Sequence, residues 1–444
     1  MGKRLLALFL VMVCVTSLVL AGCGSKVDTA GEKTAGTQSG GSADSKQSGG
    51  SGDVTLSAWS STADNLAEIA EIFNAQEGHS GKVTINKVDD SYTTILPALA
   101  AGSGIPDMFQ IQSREPAQFY LNYGTDAFVD LTDIIEPLDE WVPHSVTGVK
   151  AEDGKHYAMP WSIGPCALFY RPDIFEKSGI DINTITTWDK YIEAGVTIKE
   201  KTGMYLMANT SNGTHCDDLM MLLNEQGGQY YNKDGKVQLN TPEMLKAVAV
   251  VKEMFDKGLV YESPDIWNDR LRAVTEEKVA TIPYAVWYTG VMESGTPDQK
   301  GKWAIAPFPA FEEGGNNMVN MGGSSVVVSK TSGNIELCKE FLKYAMKSPE
   351  GNKINLKWGQ FPAYTPSYNE DYFNDASEFF GNAQVNKLFA KYTQAPDIDY
   401  GPAFRDVQDQ LKLATGELFK PGADAAKILD SYSQKAQSVI DAKK

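Results

Sequence analysis

The chain has 444 residues, of which 42% are hydrophobic and 22% charged, a composition typical of a globular protein. Its formal net charge is −17 at pH 7. So strongly negative a chain is a poor partner for nucleic acid or an anionic surface, whereas an uncharged ligand is compatible with it.

Residues 1–22 have the pattern of a secretory signal peptide. Lys3 and Arg4 precede an apolar run, residues 5–20, that is short for a membrane-spanning helix. The segment Leu20-Ala21-Gly22-Cys23 resembles the bacterial lipobox. That resemblance implies that Cys23 is diacylated and becomes the new N-terminus; a signal peptide that merely ends in cysteine is the alternative. Loss of Lys3 and Arg4 with the leader would change the net charge from −17 to −19.

Residues 23–53 are predicted to be the lipidated cysteine and a disordered tether. Gly, Ser, Thr, Lys and Asp dominate this segment, so it cannot bury enough apolar surface to offset the entropy of ordering. The roughly 390 residues that follow exceed the about 250–300 residues that one hydrophobic core usually holds. We therefore expect two domains after the tether.

Strand and helix patterns alternate after the tether. Residues 54–59, 83–88 and 106–111 are predicted strands, and residues 65–76 and 92–101 are predicted helices. This alternation favours a parallel sheet flanked by helices. Hydroxyl side chains able to cap helix N-termini stand at three later positions, Thr187, Thr241 and Ser348.

The sequence carries no motif of a metal site or of nucleotide chemistry. Its four histidines lie far apart, with no Cys or carboxylate at zinc-site spacing, so neither metal nor cofactor is expected. It has no GxSxG elbow, Walker loop or GxGxxG loop. Three cysteines remain after the leader and Cys23, namely Cys166, Cys216 and Cys338. At most one disulfide is possible among them, and buried free thiols are the simpler expectation.

Nine short segments together resemble the family 1 extracellular solute-binding proteins, the group that includes maltose-binding protein. They are AGSGIPD (101–107), GKHYAMP (154–160), LFYRPDIFEKSG (168–179), TWD (187–189), GG (227–228), WAIAPFP (303–309), GGSS (322–325), FLK (341–343) and SPEG (348–351). Each is weak alone. They stand in the family's order between residues 54 and 440, behind a lipobox and a polar tether.

The resemblance implies an α/β, two-lobed periplasmic-binding-protein-like fold of type II, with a ligand cleft between lobes joined by a hinge. Residues 54–162 and 324–362 would form the N-terminal lobe. Residues 163–323 and 363–444 would form the C-terminal lobe.

Sugar recognition needs aromatic rings that stack on pyranose C–H faces and polar groups that bond the hydroxyls. Trp59 ends the first predicted strand and Ser60 follows it, and Gln112 and Ser113 follow the third, where parallel strands open a crevice at their carboxyl ends. Packing under the loop or capping are the alternative roles for these side chains.

Further candidates rest on position and resemblance. Trp161 lies at the predicted hinge, where its ring would face the ligand or pack the crossing. Trp287 stands where the family usually has a Gly-x-Trp stacking residue, although Ala285 replaces the Gly, and Tyr284 would share its wall. The remaining candidates are Gly322, Gly323, Trp358 and Arg405. Trp188 and Trp303 occupy family positions that are structural, and Trp141 and Trp267 receive no assignment.

Together these features predict the substrate-binding lipoprotein of an ABC importer, which binds a mono- or oligosaccharide reversibly and delivers it to the membrane permease without catalysis. It would be a monomer on the extracytoplasmic face of the cell membrane, held to the bilayer by its acyl anchor, with no nucleic-acid partner. Two alternatives remain. The same fold would bind a polyamine or other cation if Asp and Glu side chains cluster in the cleft. A secreted glycan-degrading enzyme would need two carboxylates at catalytic separation.

Overall fold

The computed structural model of the protein describes residues 52–89 and 92–443. The predicted leader 1–22, the lipidation site Cys23 and nearly all of the tether 23–53 lie outside these residues. The described residues belong to one compact unit. No helix in the described ranges combines the length and apolar character needed to cross a bilayer.

Strands and helices alternate through the described residues. The strands are β1 Val54–Trp59, β2 Val83–Val88, β3 Met108–Gln112, β4 Ala158–Tyr170, β5 Met207–Asn209, β6 Val260–Glu262, β7 Thr281–Ala285, β8 Ala304–Ala306, β9 Asn320–Val328 and β10 Phe361–Pro362. The helices are α1 Ser60–Asn74, α2 Tyr92–Ala101, α3 Pro116–Tyr123, α4 Thr132–Ile135, α5 Pro143–Thr147, α6 Pro172–Ser178, α7 Trp188–Thr202, α8 Asp217–Glu225, α9 Pro242–Asp256, α10 Ile266–Thr275, α11 Tyr288–Gly295, α12 Ile335–Lys347, α13 Pro349–Lys357, α14 Val385–Phe389, α15 Phe404–Leu418 and α16 Ala425–Asp441.

The main sheet has the strand order β10-β4-β9-β3-β1-β2, with β7 and β8 paired to β4. The pairs β1–β2 and β1–β3 are parallel, as the strand and helix alternation predicts. The prediction of a parallel sheet is wrong for the rest, because β9 pairs antiparallel with both β3 and β4. Through β9 the chain returns to the part of the sheet that contains β1, β2 and β3. The local alternation of strand and helix patterns does not predict a pairing over so long a sequence distance.

Strand β4 takes part in two different sets of pairings. Its first half pairs with β9 and β10, whereas residues 166–170 pair with β7, and residues 168–170 also with β8. The register with β9 shifts at Trp161 and again at Gly164. Such irregularities bend a strand and increase its twist, so β4 leaves one part of the sheet and enters another.

Three chain segments run side by side at this bend. Residues 162–163 of β4 lie opposite residues 323–324 of β9 and opposite residues 361–362 of β10. These are the same positions at which the predicted lobe boundaries fall.

The predicted helix caps are confirmed. The hydroxyls of Thr187, Thr241 and Ser348 accept hydrogen bonds from the backbone N–H groups of Lys190, Met244 and Gly351. Pro242 and Pro349 open α9 and α13, where a missing N–H costs no hydrogen bond.

Apolar side chains cover both faces of the sheet. On β3, Met108 belongs to the main hydrophobic core, whereas Phe109 and Ile111 point into a second cluster with Phe119 and Val327. The three cysteines Cys166, Cys216 and Cys338 are buried and free.

Trp188 and Trp303 are buried structural residues, as their family positions imply. The indole N–H of Trp188 donates to the Glu225 carboxylate over 2.8 Å, and the Phe311 backbone N–H donates to the other oxygen over 2.9 Å. Burial raises the pKa of Glu225 to about 8, although both donors oppose that shift. Glu225 thereby joins the end of α8 to the start of α7 and to the loop after β8.

Candidate functional site

The first aromatic group lies where β1 and β3 end, and it comprises Trp59 and Tyr92. Their ring centroids are 5.6 Å apart. The backbone N–H of Gln112 donates to the Tyr92 hydroxyl over 3.0 Å. The guanidinium of Arg405, on α15, lies 4.4 Å from the Tyr92 ring centroid, and its Nε is 3.9 Å from a carboxylate oxygen of Glu115. The Tyr92 ring, the Gln112 backbone amide and the charged pair of Arg405 and Glu115 thus meet at this edge of the sheet.

A buried glutamine fixes the first aromatic group to the sheet. Gln110, inside β3, accepts hydrogen bonds from the Trp59 backbone N–H (3.3 Å) and the Thr62 hydroxyl (2.7 Å). Its amide donates to the Ser324 hydroxyl over 2.8 Å. Because β1 ends at Trp59 and α1 begins at Ser60, the indole is held at the junction of strand and helix. Ser60 itself is exposed and has a positive φ of 50°.

Gly322 and Gly323 bring β9 unusually close to its neighbours. Both have positive φ, 91° and 118°. A Cβ on Gly323 would lie 2.2 Å from the Ser162 carbonyl oxygen, so no larger residue fits there. The Ser113 backbone N–H donates to the Gly323 carbonyl over 3.1 Å. The positive φ angles of both residues and the close approach at Gly323 therefore explain why glycine occupies these positions.

The second aromatic group comprises Trp267, Tyr284, Trp287 and Tyr288. The Trp287 ring centroid is 4.8 Å from that of Tyr284 and 5.8 Å from that of Trp267. The Trp287 indole N–H donates to the Met321 carbonyl over 3.3 Å, one residue before Gly322. Trp287 is half-buried, whereas Tyr284 is fully buried behind it. Trp287 therefore presents a ring and Tyr284 supports that ring.

A buried charged cluster lies behind the second aromatic group. The Arg270 guanidinium lies 3.9 Å from the Tyr284 ring centroid, and one of its nitrogens is 3.3 Å from His215 Nε2. The Tyr284 hydroxyl donates to Asp217 over 2.5 Å. Burial lowers the pKa of His215. Although burial opposes it, His215, Tyr284 and Arg270 lower the pKa of Asp217.

The neighbouring carboxyl, Asp218, behaves differently from Asp217. Its burial raises its pKa, and the charges of His215 and Arg270 do not overcome that effect. Both carboxyls thus lie in the electrostatic field of Arg270, and Asp217 is the one whose pKa is lowered.

The two aromatic groups are linked through the start of β9. Trp287 contacts Met321, and Ser113 contacts Gly323, so only Gly322 separates the two contacts on this strand. Among the predicted site residues, Trp59, Gln112 and Arg405 belong to or contact the first aromatic group, and Tyr284 and Trp287 belong to the second. Ser113 and Trp287 contact the start of β9, where Gly322 and Gly323 lie.

Trp161 and Trp358 have other surroundings. Trp161 is 1% exposed, and its indole N–H donates over 2.9 Å to Asn355, which also accepts from Asn65. The Trp358 indole N–H donates to Glu68 on α1 over 2.8 Å. Among the described residues, neither indole makes a ring contact with the two aromatic groups. The environment of Trp161 favours the packing role over the ligand-facing one.

Sequence reasoning missed Tyr92, Glu115, Trp267 and Arg270. Glu115 follows Gln112 and Ser113 after β3, so the strand-end rule that selected those two residues applies to it as well. Tyr92 opens α2, and its part in the group depends on Arg405, more than 300 positions later in the chain. No local pattern distinguishes Trp267 or Arg270 from other residues of an amphipathic helix.

The described ranges hold no group of three or more His, Cys, Asp or Glu side chains arranged to bind a metal ion.

Comparisons with known proteins identify the family. Residues 59–353 match the model of the bacterial extracellular solute-binding proteins. The lactose-binding protein of Rhizobium radiobacter is 30% identical over 404 residues, which are 87% of this chain and 93% of that protein. The arabinooligosaccharide-binding protein of Bacillus subtilis is 29% identical over 79% of this chain and 78% of its own.

A solved structure shows the same fold. The ABC transporter associated binding protein from B. animalis subsp. lactis Bl-04, in complex with β-1,6-galactobiose, superposes with a TM-score of 0.69 at 24% identity. The match covers 88% of this chain and 97% of that one. The predicted α/β binding-protein fold is thereby confirmed. With about two thirds of its length matched by the family model and a relative at 30% identity over 87% of its residues, the chain belongs to the bacterial extracellular solute-binding proteins.

Proposed function

We propose that this chain binds an oligosaccharide reversibly at the site formed by the two aromatic groups and Gly322–Gly323, and delivers it to an ABC permease. The observation that carries the proposal is a pair of half-buried indoles, Trp59 in ring contact with Tyr92 at the end of β1, and Trp287 bound through its N–H to Met321 at the start of β9. Indole faces suit the C–H faces of sugar rings. The names of relatives agree with this ligand class, since they bind lactose and arabinooligosaccharides.

We propose two lobes with the predicted boundaries, 54–162 plus 324–362 and 163–323 plus 363–444. The three crossings would then lie side by side in β4, β9 and β10, which suits a hinge. Arg405 of the second proposed lobe contacts Tyr92 and Glu115 of the first. Closure would bring such contacts together around a bound sugar.

The charges near the site favour sugar over a cation. A polyamine site would present carboxylates without a cationic partner. Here Glu115 lies beside Arg405, and Asp217 lies in the electrostatic field of Arg270 and accepts a hydrogen bond from Tyr284. The family consists of binding proteins, and we propose that this chain likewise acts on its ligand by closure alone.

Calorimetric titration of the purified chain tests the ligand class. Lactose, arabinotriose, galactose, arabinose and spermidine would be titrated separately, with thermal unfolding as a second measurement. We expect an oligosaccharide to bind with a Kd in the micromolar range or tighter, and to stabilise the fold by about 2.7 kcal/mol at a hundredfold excess over Kd. Stabilisation by spermidine without response to any sugar would overturn the proposal in favour of a cation.

We further propose that Cys23 carries the lipid that holds the protein as a monomer on the outer face of the membrane. Support comes from the lipobox-like Leu20-Ala21-Gly22-Cys23 and the polar tether after it. In cells grown with labelled palmitate, the wild-type chain should be labelled and sediment with membranes, whereas Cys23→Ser should do neither. Cys14→Ser, in the apolar run of the leader, is the matched control and should behave as wild type. Labelling of Cys23→Ser would contradict this proposal.

A further inference from the structure

Arg114 differs from the other arginines in the described residues, because its guanidinium makes neither a hydrogen bond nor an ion pair with any of those residues. Its Nε is buried and has no hydrogen-bond partner there. The other four, Arg171, Arg270, Arg272 and Arg405, each contact a carboxylate or a histidine. A half-buried guanidinium without an acceptor is rare, since burial of an unpaired charge is unfavourable.

The Arg114 side chain lies between the two proposed lobes. It follows β3, at the edge of the sheet where the first aromatic group lies. Its guanidinium carbon is 5.7 Å from the ring centroid of Phe404, at the start of α15. The residues that come next in the two segments, Glu115 and Arg405, contact each other as well. The guanidinium is thus placed where closure would bring the proposed lobes together.

The charge of Arg114 acts on residues beside the second aromatic group. Burial raises the pKa of Tyr400 to about 12, and Arg114 is the charge that opposes this shift. Burial also opposes the lowered pKa of Asp217, and Arg114 is the weakest of the groups that lower it. From the end of β3, the guanidinium therefore lies within electrostatic reach of Asp217 without pairing with it.

The carboxyls in these surroundings have other partners. Glu115 lies beside Arg405, and Asp217 accepts a hydrogen bond from a tyrosine. Burial raises the pKa of Asp397, the carboxyl that acts on Tyr400 together with Arg114, and so disfavours its charged form. Arg114 is left as a positive charge that the described residues do not pair.

Closure of the lobes over a ligand would remove water from this guanidinium. Sugar hydroxyls can accept its hydrogen bonds, but they leave its charge uncompensated in a drier environment. A carboxylate on the ligand supplies the opposite charge, and its two oxygens match the planar fork of the guanidinium. The ligand group that fits Arg114 is therefore a carboxylate.

We infer that Arg114 binds the carboxylate of an acidic sugar residue, so that this chain selects oligosaccharides that contain a uronic acid. This inference rests on the proposed function, because it takes the ligand to be an oligosaccharide held between the two aromatic groups. The net charge of −17 does not oppose it. Exposed charges are screened beyond about 8 Å at physiological salt, whereas Arg114 would act on the ligand at contact.

The test compares acidic oligosaccharides with their methyl esters, which have the same sugar residues but no charge. Digalacturonate and a xylobiose that carries 4-O-methylglucuronate would each be titrated by calorimetry beside the ester. Wild type should bind one of the acids roughly 10- to 100-fold more tightly than its ester. Arg114→Gln should lose that preference and keep the affinity for the ester. Arg114→Lys, which keeps the charge but not the fork, should lose part of the preference.

Lys435→Gln is the matched control. Lys435 is exposed on α16, and its Nζ lies 3.6 Å from the Tyr432 ring centroid. This variant removes a positive charge that lies over an aromatic ring, as Arg114→Gln does, but outside both aromatic groups. It should keep the wild-type preference for the acid. Because Arg114 has no hydrogen bond or ion pair to lose, the melting temperature of Arg114→Gln without ligand should stay close to wild type. That result excludes misfolding as the cause of a lost preference.

The outcomes separate this inference from the proposed function. If wild type binds an ester or another neutral oligosaccharide as tightly as the acids, the inference is overturned and the proposed function stands. The same holds if wild type prefers an acid and Arg114→Gln retains that preference, because the carboxylate would then be bound elsewhere. If wild type binds neither the acids and esters nor the neutral sugars, both proposals fail.

Discussion

Replacement of Arg270 by Met should lower the free energy of unfolding by about 3–5 kcal/mol. The guanidinium is buried between the Tyr284 ring, 3.9 Å away, and the Tyr288 ring, 5.9 Å away. Met fills much of the volume but leaves the charge of Asp217 without its cationic neighbour. An uncompensated buried carboxylate is among the costliest defects that a single substitution makes.

Urea titration at pH 7 measures this loss, and Arg272→Met is the matched control. Arg272 lies two residues further along the same helix, but its side chain is 51% exposed and meets Asp269 at the surface over 3.2 Å. The control should change stability by less than about 1 kcal/mol. If both variants lose the same free energy of unfolding, removal of either arginine destabilises α10 equally. The buried cluster around Arg270 would then have no special role in stability.

The double variant Arg270→Met with Asp217→Asn tests the pairing directly. Neutralising Asp217 removes the charge that Arg270 compensates, so the two losses should be less than additive. Additive losses would indicate that Arg270 stabilises the fold through its stacking on Tyr284 alone.

Local sequence patterns correctly predicted the strands and helix caps that depend on interactions between residues close in sequence. Strands β1 and β2 have the predicted bounds, and the caps at Thr187, Thr241 and Ser348 form as expected. Helix α1 begins at Ser60, earlier than the predicted residue 65, because the Ser60-Ser61-Thr62 stretch that reads as a loop is drawn into the helix while Gln110 holds Thr62. Such a contact with the next strand is invisible in the sequence.

Candidate site residues were predictable only where a general rule applies. Trp59, Gln112 and Ser113 were selected because parallel strands end at one edge, and Gly322 and Gly323 because close backbone approach needs glycine. The orientation of Trp161 was not predictable, since Asn65 and Asn355, 290 positions apart, determine it. The pairing of Arg270 with the Asp217 region likewise depends on tertiary contacts between α10 and the start of α8.

Loss of the Trp287 ring should weaken binding of the preferred oligosaccharide by roughly 30- to 150-fold, or about 2–3 kcal/mol, in Trp287→Ala. This ring is both fixed and accessible, because its N–H is bound to Met321 while its side chain is only half-buried. Calorimetry with the sugar found to bind wild type measures the change. Trp287→Phe should lose less affinity, because a ring remains although the bond to Met321 does not.

Trp161→Phe provides the contrast that assigns the effect to position rather than to residue type. Its indole is 1% exposed and bonded to Asn355, so loss of that hydrogen bond and of part of the buried ring should cost about 1–3 kcal/mol of stability, although Asn355 keeps the hydrogen bond from Asn65. The affinity of the folded protein for sugar should stay within a factor of about two of wild type, since such a buried ring has no face to offer a ligand. If instead Trp161→Phe loses sugar affinity and Trp287→Ala retains it, the ligand lies at the bend of β4 and not beside the second aromatic group.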